Sequence, residues 1–196
     1  MFKFRFCLGR HIRVLCGFSG ARATDRRLKA LIDAEYLTRK KYLYGMPYLY
    51  TLTHKGRMII GVNKRADVIR VDRITHDITV IDTVIYFVSM FKYSLKEIES
   101  EKELHIKSGF GKRKHQPDFI INTGNINNAV EIELSAKSKE RLENNIKDNY
   151  MRFNTQMWVV GDNKIRSAIV SLQNDYPNLH LIPLERVTKY VKERCP

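Results

Sequence analysis

The sequence predicts an α/β (α+β) protein built from two modules, residues 1–72 and residues 73–196. Three observations carry this reading. The first is charge. The chain has 196 residues with 35 Lys+Arg against 21 Asp+Glu, a formal net charge of +14. Residues 1–75 hold 17 Lys+Arg and 5 Asp+Glu (+12), whereas residues 76–196 hold 18 and 16 (+2). Such asymmetry points to a basic binding module joined to a nearly neutral module with another task. The second observation is the order helix, turn, helix, β-hairpin, helix in the basic half. The third is a run of short alternating strands in the other half, in the order α-β-β-β-α-β-α-β, which implies a mixed central sheet.

Composition narrows the function. Hydrophobic residues make up 43% and charged residues 29%, enough for a packed core and unlike a disordered chain. A domain this basic calls for a polyanionic partner, with nucleic acid first and an anionic membrane surface second. No uninterrupted apolar run reaches the roughly 18 residues of a transmembrane helix. The first residues, MFKFRF, have neither the apolar stretch nor the cleavage site of a signal peptide. Cys7, Cys16 and Cys195 are odd in number and follow no metal-ligand spacing, so a reducing, cytoplasmic setting is expected. Walker, dinucleotide and GxSxG motifs are absent from the sequence.

In the basic module, Ile12, Val14, Leu15 and Phe18 fit a short helix within Gly9–Phe18. Thr24 is placed to cap a second helix, Asp25 to Tyr36, with Leu28, Leu31, Ile32 and Tyr36 as its buried stripe. Arg22, Arg26, Arg27 and Lys29 lie at its start or on its polar side. Leu37 to Tyr44 reads as a strand, Gly45-Met46-Pro47 as a turn and Tyr48 to Leu52 as the returning strand. Thr53 caps a last helix that starts at His54.

In the second module, a helix is expected through His76–Val88, with Ile78, Ile81, Ile85 and Val88 at helical spacing. Lys96 to Ile106 reads as a strand with alternating charges, and GFGKRKHQ as a basic glycine loop containing Lys112, Arg113 and Lys114. Pro117–Asn122 and Ala129–Ala136 are strands around a Gly124-Asn125 turn. Ser138 opens a helix over Lys139–Phe153, and strand Gln156–Val160, helix Ile165–Gln173 and strand Leu179–Leu184 follow.

The segment PDFIINTGNINNAVEIELSAKS carries the chemistry. Strand side chains alternate, so Glu131, Glu133 and Ser135 share one face, while Val130, Ile132 and Leu134 face the other. Carboxylates repeated on one face, with Asp118 on the neighbouring strand, need something to pair their charge. A divalent cation with hard oxygen ligands does so, and can then activate water and polarise a phosphodiester. A lysine alongside, Lys137, would stabilise the transition-state charge. The competing reading is an edge strand with a polar outer face.

Two resemblances follow from these residues. RRLKALIDAEYLTRKKYLYGMPYLYTLTHKG resembles winged helix-turn-helix domains. That implies DNA contacts from the second helix and from Arg39, Lys40 and Lys41 on the wing. It also implies that Phe2, Phe4 and Phe6 replace a short first helix, from an alternating strand or from a partner chain. The second segment resembles the PD-(D/E)xK nucleases of restriction-endonuclease-like fold. Pro117-Asp118 matches as written, but Glu133 stands where that pattern has lysine. Either Lys137 is the displaced lysine, or Glu133 is the second acid and Ser135 interrupts the motif. Together with HDITVID, SEKEL and VEIELSAKSKERLENNIKDNY, the chain is similar to the replication-relaxation family, which includes relaxases of the MOB-C class.

That family resemblance implies a sequence-specific DNA nickase or relaxase acting at an origin of transfer or replication. In it Asp118, Glu131 and Glu133 hold Mg²⁺ or Mn²⁺, with Glu101 or Glu103 as a further ligand. Tyr150 is the candidate nucleophile, with buried helix packing as its other role. The six histidines form no HxH pair, as expected for that class. Implied partners are origin DNA, relaxosome or replication proteins and a second copy of the chain, with no membrane. The alternative function is a DNA-binding replication or transcription regulator whose nuclease domain does not cleave.

Overall fold

The computed structural model describes residues 3–62, 65–109, 115–135 and 138–194. The protein is mixed α/β and divides into two compact units, Met1–Ile85 with Val191–Pro196, and Tyr86–Tyr190. The division falls inside a long helix.

The first unit begins with a short strand, β1 (Cys7–Leu8), which leads into helix α1 (Gly9–Leu15). Helix α2 (Ala21–Asp33) starts a turn earlier than Thr24 suggests. Thr24 lies inside it, and its hydroxyl donates to the Gly20 carbonyl at 2.9 Å, a back-bond that a threonine makes within a helix. The helix stops at Asp33 because Glu35 adopts a left-handed φ of 59°. The Tyr36 N–H then reaches the Leu31 carbonyl, and the Glu35 N–H the Ile32 carbonyl, a Schellman closure. Thr24 and Leu28 are the buried residues of α2, whereas Leu31 is exposed.

Strands β2 (Leu37–Lys40) and β3 (Leu49–Leu52) form the hairpin, and β1 pairs with the far side of β3. Phe4 and Phe6 therefore act within the chain, from the segment before β1 and not from an alternating strand, while Phe2 lies outside the described residues. Phe6 joins Leu8, Leu49 and Ile74 in one core cluster, and Phe4 is also buried. Thr53 caps α3 (His54–Ile59) as expected, accepting from the Gly56 N–H and donating to the Glu35 carbonyl. Position 56 requires glycine because a Cβ there would run into the Tyr36 carbonyl oxygen.

Helix α4 (Ile74–Phe91) follows a 3₁₀ turn at Val71–Arg73. The stretch Val71–Phe91 is long and apolar enough to cross a membrane, with a mean hydropathy of 1.3, and half of it is buried inside the protein. It thus passes a test that the search for uninterrupted apolar runs did not. Its one carboxylate in the buried middle, Asp82, is paired inside the first unit. Arg10 Nη2 donates to Asp82 at 2.6 Å, and the ring of His11, fully buried, meets the same carboxylate at 2.9 Å.

The Leu8 N–H donates to His11 Nδ1 at 3.2 Å, so Nε2 carries the proton toward Asp82. Protonating Nδ1 would set two N–H groups against each other. Burial holds the His11 pKa below 6.5 despite the Asp82 bond. Burial pushes Asp82 up, but the bonds from His11 and Arg10 outweigh it and leave it below 3.8. In both cases the unfolded chain binds the proton more readily. Stability of this unit is therefore expected to fall as pH drops below about 6.5, by up to about 1.4 kcal/mol per pH unit, and again near pH 4. Melting temperatures between pH 4 and 8 test this, and His11→Gln should flatten the upper part of the curve.

The second unit is a five-stranded mixed sheet in the order β4-β5-β6-β7-β8. Strands β4 (Ile98–Ser100), β5 (Phe119–Asn122) and β6 (Asn127–Glu133) are antiparallel neighbours. Strands β7 (Thr155–Val160) and β8 (Leu179–Pro183) continue parallel to β6. Instead of a long strand over Lys96–Ile106, the chain turns at Ser100 into helix α5 (Glu101–Ser108). Ser100 accepts from the Glu103 N–H, and Glu103 accepts from the Ser100 N–H, a reciprocal capping box.

Helices α6 (Lys139–Arg152) and α7 (Asn163–Leu172) cover one face of the sheet, where Leu142, Ile146, Trp158, Val160, Ile165, Ile169 and Leu179 form a core. Ser138 caps α6 as expected. On the other face Phe87 meets Phe119 edge-on at 6.1 Å. The chain ends in α8 (Leu184–Arg194), which the sequence reading leaves out.

Candidate functional site

Two constellations stand out, one in each unit. In the first unit, Arg22, Arg26, Arg27 and Lys29 are all exposed on α2, and Arg39, Lys40 and Lys41 are exposed on the hairpin. The register pairs Arg39 with Tyr50 and Lys40 with Leu49, so Arg39 and Lys41 share the face that carries Tyr48 and Tyr50. Each hairpin cation lies over a tyrosine: Arg39 over Tyr48 at 4.9 Å, Lys40 over Tyr42 at 5.2 Å and Lys41 over Tyr44 at 5.8 Å. Such pairs hold long side chains in place at little cost. A groove between α2 and the hairpin is lined by Lys29, Ile32, Arg39 and Tyr48, together with Asp25 and Asp33.

In the second unit the acids meet on the central strands. Phe119 pairs with Val130 and Ser100 with Phe119. One step further along the ladder, Asp118 stands across from Glu131, and the Glu101 N–H donates to the Asp118 carbonyl at 2.8 Å. Strand β6 is the middle strand of the sheet, which excludes the edge-strand reading. Glu131 and Glu133 are buried, at 4% and 3% exposure, on the face that α6 covers.

The Glu131 carboxylate is held from two sides. His115 Nε2 lies 2.6 Å from its Oε1, and Asn149 Nδ2 donates to the same oxygen at 3.0 Å. The Ile132 N–H donates to Asp118 Oδ2 at 2.8 Å. Burial raises the Glu131 pKa above 4.5, and the nearby Asp118 charge adds to this against the lowering effect of His115. Arg152 at the end of α6 fastens the preceding loop, donating to the His115 carbonyl at 2.7 Å, to Gln116 at 2.8 Å and to Asp148 at 2.5 Å.

The sequence-derived candidates separate accordingly. Asp118 and Glu131 are brought together, and Glu133 lies two residues further along the same face. Glu101 and Glu103 sit on a helix and not on a strand; Glu101 adjoins Asp118 through the backbone, while Glu103 is committed to its cap. Tyr150 is 39% exposed and packs edge-on against Tyr176 at 5.3 Å, so it is neither buried nor the α6 residue that faces Glu131. That residue is its neighbour Asn149. Lys112, Arg113, Lys114 and Lys137 lie outside the described residues.

His115, Asn149 and Arg152 were not singled out from sequence. The available signals were the position of His115 three residues before Asp118, and of Asn149 on the α6 stripe Leu142–Asn145–Ile146–Asn149.

Adjacent carboxylates offer hard oxygens, which suit Mg²⁺ and Mn²⁺. Among the described residues no three His, Cys, Asp or Glu side chains gather into a cage. Mg²⁺ requires only one or two carboxylates, completing its shell with water and substrate phosphate, so the Asp118–Glu131 pair fits such an ion. No protein-family model, curated protein or solved structure matches the chain.

Proposed function

We propose that the protein is a metal-dependent, sequence-specific DNA nickase or relaxase acting at a plasmid or mobile-element origin. On this reading the first unit is a winged helix-turn-helix that binds DNA, and the second is a restriction-endonuclease-like domain. The observation that carries the reading is the pairing of half-buried Asp118, at the start of β5, with buried Glu131 on the neighbouring strand of a mixed sheet. Exposed cations on the helix and hairpin of the other unit, the elements that touch DNA in a winged helix, support it.

Asp118 and Glu131 would hold the ion, which when bound lowers the pKa of a water and neutralises charge on the scissile phosphate. The protein's own part is orientation. His115 and Asn149 fix the Glu131 carboxylate, the Ile132 N–H fixes that of Asp118, and Arg152 anchors the loop carrying His115. Glu133 is the candidate third ligand on the same strand face.

A second reading, a DNA-binding regulator without cleavage, is favoured by one specific observation. Glu131 Oε1 is already engaged by His115 and Asn149, as in a structural network. Incubation with Mn²⁺ and a supercoiled plasmid carrying its own origin separates the two. The nickase converts the plasmid to open circles, and Asp118→Ala binds without nicking. Wild type and variant that bind tightly but are equally inert establish the regulator, and absence of binding overturns both readings.

A further inference from the structure

We infer that the β2–β3 hairpin is a stacking device for unpaired DNA bases, so that the first unit prefers locally melted DNA to an intact duplex. The inference rests on the DNA-binding reading and specifies its substrate.

The hairpin connection presents more aromatic surface than packing requires. Tyr44 is 102% exposed at the tip, beside Gly45 with its φ of 77°, and Tyr48 is 44% exposed. Tyr42, by contrast, packs against the core cluster of Phe6, Leu8, Leu49 and Ile74. A tyrosine that makes no packing contribution loses hydrophobic free energy by standing in water. Tyr44 is such a ring, and Tyr48 is half-exposed; each has a cation over it, Lys41 on Tyr44 and Arg39 on Tyr48.

The chemistry of this pair of rings selects one ligand. A basic strip alone would serve duplex phosphates. Flat, exposed rings whose faces are held by cations suit the faces of unstacked bases, while the same cations meet the backbone phosphates. Bases inside a duplex have their faces covered by their neighbours and cannot use such rings. The connection between the strands turns at Leu43–Met46, where the Met46 N–H donates to the Leu43 carbonyl, and Tyr44 lies in that turn.

The test uses the full chain and fluorescence anisotropy on two DNAs of one sequence, a perfect duplex and the same duplex with a central unpaired bubble. Wild type is expected to prefer the bubble. Tyr44→Ala should weaken bubble binding roughly five- to hundredfold, the range for loss of one base–aromatic stack, and leave duplex binding within about twofold. Tyr44→Phe should behave as wild type, because stacking needs the ring and not the hydroxyl. A 2-aminopurine in the bubble should be quenched by wild type and Tyr44→Phe but not by Tyr44→Ala. Equal loss on both DNAs, or no loss on either, overturns the inference while leaving DNA binding intact. If wild type binds neither DNA, the DNA-binding reading itself fails. Tyr44 is fully exposed, so neither substitution threatens the fold.

Discussion

Replacing Glu131 by glutamine is expected to stabilise the protein near neutral pH and to abolish nicking. The carboxyl is buried on the middle strand, and burial together with the nearby Asp118 charge raises its pKa. An acid whose folded-state pKa is raised favours the folded state only while protonated. That contribution is lost as pH rises from about 4.5 through the folded value, and at neutral pH ionisation in the interior costs stability. Glutamine keeps the shape and can still accept from Asn149 while removing the charge. A gain of about 1 kcal/mol is expected, the usual size when a strained functional group is relieved, read as a raised melting temperature at pH 7.

Nicking of supercoiled plasmid should fall by roughly 10²-fold or more, the scale of losing one group that stabilises transition-state charge. A lowered melting temperature would instead mean that the His115–Glu131 pair is ionised and stabilising on balance, because breaking a buried pair typically costs about 3–5 kcal/mol. An unchanged nicking rate would remove Glu131 from the metal site.

The second large effect concerns DNA affinity. Arg26, Arg27, Arg39 and Lys41 are all exposed, so changing them together to alanine should leave the melting temperature nearly unchanged. If each meets one phosphate, the slope of log affinity against log salt should become shallower by about 0.9 per residue, or between 3 and 4 in all. At low salt this amounts to a loss of several orders of magnitude in binding. An unaltered slope with unaltered affinity would place the DNA surface elsewhere on the molecule.

Local signals in the sequence locate most of the elements. Thr53 and Ser138 cap the helices they precede, because a hydroxyl before an exposed amide is a short-range event. The two-residue alternation of AVEIE likewise places Glu131 and Glu133 on one face. The strand expected over Lys96–Ile106 was an error of period. The alternating charges of KEIESEKEL suggest a strand, but Ser100-Glu101-Lys102-Glu103 is also a capping-box sequence, and the helix prevails. The start of α2 was misjudged because Thr24 looks like a cap when Gly20 is overlooked.

Features that depend on distant segments were beyond a linear reading. Nothing in VEIELS says that β6 is the central strand or that α6 covers the face that carries both glutamates. His115 and Asn149 reach Glu131 from 16 and 18 residues away, and only the packing of α6 on the sheet makes them neighbours.

The strand order of the second unit has a kinetic consequence. Every strand in β4-β5-β6-β7-β8 lies beside its predecessor in the chain, so the sheet grows by adding one adjacent segment at a time. Loop closure is short only at the β5–β6 turn; each parallel step must first close a loop through a crossover helix, which makes β7 and β8 the slower additions. The acids belong to the β5–β6 hairpin, the most local pairing of all, and their restraints arrive with α6, the next segment to be made. The contacts that hold Asp118 and Glu131 therefore all come from one continuous stretch of chain, His115 to Arg152.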